Sequence, residues 1–364
     1  MAGIVWLLLL GFSSLPTLSG AEDFVPPQYN ISLDLPPDQR WEPVLKQYDS
    51  TYLRDTLEYL LKNFIPNWIR LFASPLGEFH LTFFVTEPYA SELRSISRIL
   101  DISVGDVFLI NLFYELTVYC TSIIAQDDQG NIYHGRNLDH DLHMILRHLT
   151  VDLHFIRNGE IAYTGTTYIG YVGLWTGQSP HKFTVSGNAR GEHSGKWWEN
   201  LNSAYLKSGT AVGWLIRDTL NDAKDFQSAA IKLTYTPIIA EAYLIMAGTK
   251  PNEGLAITRN RDGPALVWSL NPLLGEWFRV ETNYDHWTAP PLHDDRSTTA
   301  CTALNKTGQA NVNLDSLFKV LSVRPVLNYR TIHTTVMSAA FPEKYATTIR
   351  NKIPKLWWRK PGAK

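Results

Sequence analysis

The feature that most constrains this chain is a change of hydrophobic period at residue 119. Before it, Leu45, Tyr48, Tyr52, Leu57, Leu60, Leu61 and Phe64 recur at helical intervals. From Tyr119-Cys120-Thr121-Ser122-Ile123-Ile124-Ala125 onward the period falls to 2, which gives a strand two unlike faces. After Asp127-Asp128-Gln129-Gly130-Asn131 a second run ends in Gly135-Arg136-Asn137-Leu138-Asp139. Two short strands around a Gly/Asn/Asp turn predict a β-hairpin. The hairpin brings a thiol, a guanidinium and a carboxylate together, the parts of an activated nucleophile. The plainer alternative is a buried core cysteine beside a surface Arg136–Asp139 ion pair.

The rest of the pattern sorts into blocks. Residues 22–40 are polar and proline-rich and read as an exposed lead-in. Helices are expected from Trp41 to Phe72, interrupted at Pro66, then over Ser91–Leu100 and Val104–Tyr114. Strand-like runs at Leu149–Arg157 and Glu160–Thr167 meet at Asn158-Gly159, a hairpin signal. Phe183–Ser186 adds a strand. A helical block follows at Trp197 to about Tyr205, Val212–Asn221 and Phe226–Leu233. Strands return at Ala242–Ala247, Gly254–Arg259, Ala265–Leu270 and Trp277–Glu281. Helices over Arg296–Leu304 and Leu314–Leu321, the second capped by Asn313, precede a strand at Thr331–Met337. Hairpin connections with segregated helices define an α+β fold with antiparallel sheets.

Composition narrows the function. A formal net charge of −2 gives no electrostatic case for a nucleic-acid partner. Twelve Trp, 17 Tyr and 15 Phe suit an apolar or amphipathic ligand and equally suit a large core. Residues 1–20 read as a secretory signal: Ile4–Phe12 is apolar but too short to span a bilayer, and Ser19, Gly20 and Ala21 are small. No basic residue opens that segment. No transmembrane helix is expected elsewhere. Two cysteines, Cys120 and Cys301, make no disulfide scaffold, although a bridge between them competes with a reactive Cys120. No Cys/His grouping has zinc spacing, and neither a metal nor another cofactor is expected. Asn30-Ile31-Ser32 and Asn305-Lys306-Thr307 are glycosylation sequons. The apolar stretch Phe64–Phe72 suits either an interfacial, lipid-dipping segment or a helix buried against the body.

Cys120-Thr121-Ser122 together with His134-Gly135-Arg136-Asn137-Leu138-Asp139 closely resembles the N-acylethanolamine-hydrolysing acid amidases and their sister family, the acid ceramidases. Both are N-terminal-nucleophile hydrolases related to bile-salt and penicillin V hydrolases. Thr166–Gly170, Gly173–Gln178, Thr258–Gly263 and Glu281–Trp287 are similar to the amidase branch. The resemblance extends over nearly the whole chain after the leader. It implies an αββα sandwich and a self-made cut between Tyr119 and Cys120. An α-subunit of residues 21–119, helical and membrane-associated, would then pair with a catalytic β-subunit of residues 120–364. The base would be the free α-amine of Cys120, whose ordinary pKa of ~7.7–8.0 lies close to that of cysteine at ~8.5. Arg136 would favour the thiolate, Asp139 the ammonium. The resemblance also assigns Asn283 to the oxyanion through its amide N–H, and Arg296 to supporting the site. Trp175 is expected either as a wall of the substrate pocket or as buried packing, and His140 at the pocket.

Two departures accompany the likeness. The resembled family carries acidic residues after Ser186-Gly187, where this chain has Asn188 and Ala189, with Glu192 a little later. After Asp139 the family often has an aromatic residue; here it is His140. The implied activity is lysosomal cleavage of fatty acid ethanolamides such as palmitoylethanolamide, at lipid surfaces. The alternatives are cleavage of ceramide and, in another class, a secreted lipid carrier with a merely buried Cys120.

Overall fold

The computed structural model describes residues 22–64, 70–71, 76–113, 118–191, 209–291 and 294–351. The expected signal segment, the helix from Trp197 to Tyr205, most of the Phe64–Phe72 stretch, Glu192 and the basic aromatic tail at Lys355–Lys360 lie outside the described residues.

Two sheets lie face to face. The larger has eight strands in the order β1-β4-β5-β6-β7-β8-β9-β10. These are β1 (Gln28–Ser32), β4 (Thr150–Arg157), β5 (Glu160–Tyr168), β6 (Thr176–Ser179), β7 (Phe183–Ala189), β8 (Ala242–Ala247), β9 (Gly254–Arg259) and β10 (Pro264–Ser269). The smaller has five, in the order β11-β2-β3-β12-β13: β11 (Phe278–Glu281), β2 (Val118–Gln126), β3 (Ile132–His140), β12 (Thr331–Met337) and β13 (Ala346–Ile349). Neighbours are antiparallel throughout, except that β1 joins β4 in parallel.

Side-chain alternation explains the layers. In β8, Leu244 and Met246 enter one cluster, while Tyr243, Ile245 and Ala247 pack between the sheets with Ile124 and Ile132. In β2, Ile123 and Ala125 meet helices α9 (Arg296–Thr307) and α10 (Leu314–Leu321) through Ala300, Leu304, Leu317 and Leu321. The eight-stranded sheet is covered outside by α7 (Val212–Asp222) and α8 (Phe226–Tyr235). The result is the αββα order expected. The capping box of α10, Asn313 with Ser316, forms as its sequence predicts. Asn158 and Gly159 take positive φ of 52° and 82°, which lets the β4–β5 turn follow the strand twist.

Before the hairpin lie helices α1 (Glu42–Leu45), α2 (Ser50–Phe64), α3 (Gly77–Phe84), α4 (Tyr89–Leu100) and α5 (Val104–Phe113). Residues 22–40 are not the exposed lead-in expected. They supply β1, whose Ile31 is fully buried, and Phe24 bridges to Ile349. The segment preceding Tyr119 is therefore not purely helical: it contributes an edge strand to the large sheet. Further elements without a sequence expectation are α3, α6 (His143–Leu149), β6 and β13. Both cysteines are free, so no Cys120–Cys301 bridge exists.

Candidate active site

The register of the β2–β3 hairpin places the reactive groups. Cys120 lies opposite Leu138, Ser122 opposite Arg136, and Tyr119 opposite Asp139. Cys120, Ser122 and Arg136 therefore share the face that looks at the larger sheet. Arg136 reaches two residue pairs along the ladder to donate from Nη2 to Cys120 Sγ at 2.6 Å. The same guanidinium donates to the carbonyls of Trp175 and Gly187, both at 3.0 Å, and to Thr176 Oγ1 at 2.5 Å. These partners sit on the opposite sheet, so the fully buried Arg136 ties both sheets to the sulfur.

The backbone of Cys120 is held as closely as its thiol. Its N–H donates to Asn283 Oδ1 at 2.8 Å, and its carbonyl accepts from Arg296 Nη1 at 2.8 Å. Arg296 opens helix α9. It also donates to Asn283 Oδ1 at 3.0 Å and grips Asp294 through Nε at 2.8 Å and Nη2 at 2.6 Å. Asp139 lies 3.7 Å from Arg296 and accepts from Asn328 Nδ2 at 2.8 Å, while its Oδ1 is buried without a hydrogen-bond partner.

Burial dominates the electrostatics. It pushes the Cys120 thiol up to about 11, against the pull of the Arg136 and Arg296 guanidiniums, and Asp139 adds to the upward push. Burial likewise holds the Asp139 carboxyl above the usual range, opposed by Arg296. Burial thus favours the protonated thiol, with the Arg136 and Arg296 guanidiniums opposing it.

One N–H of the Asn283 amide donates to the Ala189 carbonyl at 2.8 Å, and the amide oxygen faces the Cys120 nitrogen. That oxygen has two lone pairs, and it accepts from both the Cys120 N–H and Arg296 Nη2. His140 is buried and turned into the chain: its Nδ1 accepts from the Leu142 N–H at 2.9 Å, and burial lowers its pKa to about 4. The Trp175 ring is buried, its Nε1 donating to Tyr171 Oη at 2.9 Å. A Cβ at Gly187 would stand 2.6 Å from the Trp175 ring, so glycine there permits the ring's approach. Tyr119 is exposed, and the Arg330 guanidinium lies 5.2 Å from its ring centroid. Asn30 and Asn305 are both exposed.

Sequence reasoning missed part of the site. Asp294, Asn328 and Thr176 hold Arg296, Asp139 and Arg136, and no local pattern marks them. Ser122 had a usable signal: it stands two residues from Cys120 on a period-2 strand, hence on the same face. Among the described residues no group of His, Cys, Asp and Glu could hold a metal ion.

A buried strand-borne cysteine held by arginine, with its backbone nitrogen on an asparagine, is a candidate nucleophile for attack on a carbonyl. A family model for linear amide C–N hydrolases of the choloylglycine hydrolase family matches residues 120–263, beginning at Cys120 itself. A second, for the beta subunit of N-acylethanolamine-hydrolyzing acid amidase, matches residues 24–79. The "beta subunit" of that model thus coincides with the N-terminal segment that the sequence reading labels the α-subunit. The mouse N-acylethanolamine-hydrolyzing acid amidase is 52% identical over 347 residues, covering 95% of this chain and 94% of the relative. The human acid ceramidase is 35% identical over 349 residues, covering 88% and 85%. A solved Caenorhabditis elegans orthologue of N-acylethanolamine-hydrolyzing acid amidase superposes with a TM-score of 0.58 at 41% identity, covering 63% of this chain and 99% of that one. The chain belongs to the family of N-acylethanolamine-hydrolysing acid amidases. That membership removes the lipid-carrier alternative.

Proposed function

We propose that the chain hydrolyses fatty acid ethanolamides, palmitoylethanolamide among them, to fatty acid and ethanolamine after cutting itself between Tyr119 and Cys120. The observation that carries this is the three-point hold on Cys120: Sγ on Arg136, nitrogen on Asn283, carbonyl on Arg296. The thiol is pushed up by burial and needs a base. A free α-amine one Cα away supplies it.

In the precursor, Sγ attacks the Tyr119 carbonyl. The C–N bond breaks as the C–S bond forms, and the peptide nitrogen becomes the Cys120 α-amine. Water then cleaves the thioester, leaving a Tyr119 carboxylate and a free thiol. In turnover the amine takes the thiol proton and Sγ attacks the substrate's amide carbonyl. The ammonium returns the proton to the departing ethanolamine nitrogen, and water hydrolyses the acyl thioester. The unpartnered Asp139 Oδ1, on the residue opposite Tyr119, is suited to accept from the new ammonium.

The fragments stay together as a heterodimer, since β1 and helices α1–α5 pack into the same core as the catalytic sheets. A secretory leader, exposed sequons at Asn30 and Asn305, and a lysosomal destination complete the reading. Exposed Leu76, Phe79, Phe83 and Phe84 on and beside α3 suit peripheral contact with a lipid surface. The acid ceramidase relative motivates a second reading in which ceramide is the amide cleaved.

Denaturing electrophoresis with N-terminal sequencing tests the cut. Two fragments, one beginning at Cys120, are expected, and Cys120→Ala is expected to stay whole and inactive. Normal processing of that variant would end the autocatalytic reading. Turnover of palmitoylethanolamide is expected to exceed that of ceramide, and the reverse would transfer the assignment. Residence of tagged, glycosidase-sensitive protein in lysosomes checks the destination; secretion without retention would refute it.

A further inference from the structure

Beside Cys120 a chain of polar side chains crosses between the two sheets, and the reaction as described gives it no task. His134, Ser122, Ser186 and Asn188 are all fully buried. The donor directions follow from their chemistry. Asn188 Oδ1 only accepts, so the Ser122 hydroxyl donates to it, at 2.8 Å. Ser186 donates to Ser122 at 2.8 Å, and therefore accepts from His134 Nε2 at 2.8 Å. His134 Nδ1 is then left to accept from Thr184 Oγ1 at 2.9 Å, the same hydroxyl also lying 3.3 Å from the Ala247 carbonyl. A neutral ring agrees with its burial, which lowers its pKa to about 3.

The other end of the chain touches the nucleophile's support. Asn188 Nδ2 uses both hydrogens on backbone carbonyls, those of Glu281 and Thr282, each at 3.0 Å. The next residue is Asn283, whose Oδ1 receives the Cys120 N–H. The same strand end holds Asn283 twice more: Ala189 O accepts from Asn283 Nδ2, and the Gly191 N–H donates to Asn283 O, both at 2.8 Å.

We propose that Asn188 is a positioning residue for the hydrolytic reaction, setting the Glu281–Asn283 segment so that the Asn283 oxygen meets the α-amino nitrogen of Cys120. The donor chain from His134 through Ser186 and Ser122 fixes which way its carboxamide points. Holding that nitrogen orients its lone pair toward Sγ. The inference rests on Cys120 acting as an amino-terminal nucleophile. Of the small polar side chains only a carboxamide offers one acceptor to a hydroxyl and two donors to two carbonyls. A carboxylate would face both carbonyl oxygens, and alanine would remove one donor from each.

The test uses the full chain, matured at Cys120, with palmitoylethanolamide in detergent micelles and rates normalised to the cleaved fraction. Asn188→Ala is expected to lower kcat about 10²-fold, the scale of a misplaced catalytic group, with KM nearly unchanged. Ser122→Ala leaves the two carbonyl bonds in place and is expected to lose about tenfold in kcat, again with KM held. Asn188→Asp is expected to acquire a pH limb that wild type lacks. At acid pH the protonated carboxyl still donates to one carbonyl, and activity falls as it ionises. Should Asn188→Ala not fold, Ser122→Ala and Asn188→Asp decide. A Ser122→Ala rate close to wild type, with an Asn188→Asp profile superimposable on it, overturns the inference. Cys120→Ala, run alongside, separates the two readings. Turnover by that variant defeats the nucleophile assignment, whereas an inactive Cys120→Ala with unaffected Asn188 and Ser122 variants defeats this proposal alone.

Discussion

Arg296 donates from Nη1 to the backbone oxygen of Cys120 at 2.8 Å, across 176 positions of sequence. The rest of its planar fork is committed to Asn283 and Asp294. A single guanidinium thus fixes the Cys120 carbonyl relative to the asparagine that holds its nitrogen.

Lysine keeps the charge but presents one compact ammonium in place of that fork. Arg296→Lys is therefore expected to fold, with Asp294 and Asp139 still facing a cation, and to lose about 10²-fold in kcat through a displacement of about 1 Å at the nucleophile. Steady-state hydrolysis of palmitoylethanolamide measures it. A rate near wild type would show that charge alone suffices at this position.

The hairpin around Cys120 is legible in the sequence because its period and its turn are both local. The strands β1, β6 and β13 are not. The partner of β1 lies far along the chain at Asp152–Ile156, and β6 is Thr-Gly-Gln-Ser, with no apolar side chain to show a period. The polar chain between the sheets is hidden for a different reason. His134, Ser122, Ser186 and Asn188 stand on faces that a period-2 reading assigns to an apolar core. Burying them is tolerable only because each finds the others. That complementarity exists between strands from opposite sheets, and no single stretch of sequence contains it. The orientation of Asn283 is hidden for a similar reason: which end of its carboxamide faces Cys120 depends on Ala189, 94 positions away, and on Arg296.

Glu281 gives a signed dependence of stability on pH. It is buried 3.6 Å from His286, and burial raises its pKa from 4.5 to about 7. The folded state therefore retains a proton that the unfolded state releases. The stability this contributes is present below pH 4.5 and is lost as pH rises through about 7. Glu281→Gln has no such proton to lose. The variant's unfolding free energy relative to wild type is expected to rise across that interval by up to roughly 3 kcal/mol. Asp152, raised by burial to about 6, acts in the same direction, whereas buried His134 and His140 act oppositely; all three cancel in the difference. Urea denaturation at several pH values measures it, and a flat difference would show that Glu281 is ionised in the folded protein.

Glu92 on α4 meets Arg217 on α7 in a buried two-bond pair, at 2.5 and 2.7 Å, and also accepts from Trp41 Nε1 at 2.8 Å. A cut at Tyr119–Cys120 would place these partners on separate polypeptides. Removing one charge leaves the other buried and unpaired, at about 3–5 kcal/mol. Glu92→Gln is expected to lose that much by urea denaturation, and changing Arg217→Met alongside Glu92→Leu is expected to recover part of it. A loss below about 1 kcal/mol for Glu92→Gln, the range of an exposed pair, would refute the clamp.

Phe79 and Phe83 lie on one side of α3, four residues apart, with ring centroids 4.7 Å from each other and exposures of 50% and 67%. Neither belongs to the buried core, so their substitution leaves its packing intact. Sinking each ring into a bilayer contributes about 1.5–3 kcal/mol. The double change to serine is therefore expected to weaken partition onto phosphatidylcholine vesicles about 10²-fold. Turnover of micellar substrate and the midpoint of thermal unfolding are expected to stay near wild type, because both rings are exposed and outside the buried core. Vesicle sedimentation measures the partition. Equal binding by the variant would place the lipid-facing surface elsewhere on the molecule, and a lowered unfolding midpoint would show that the rings support the fold.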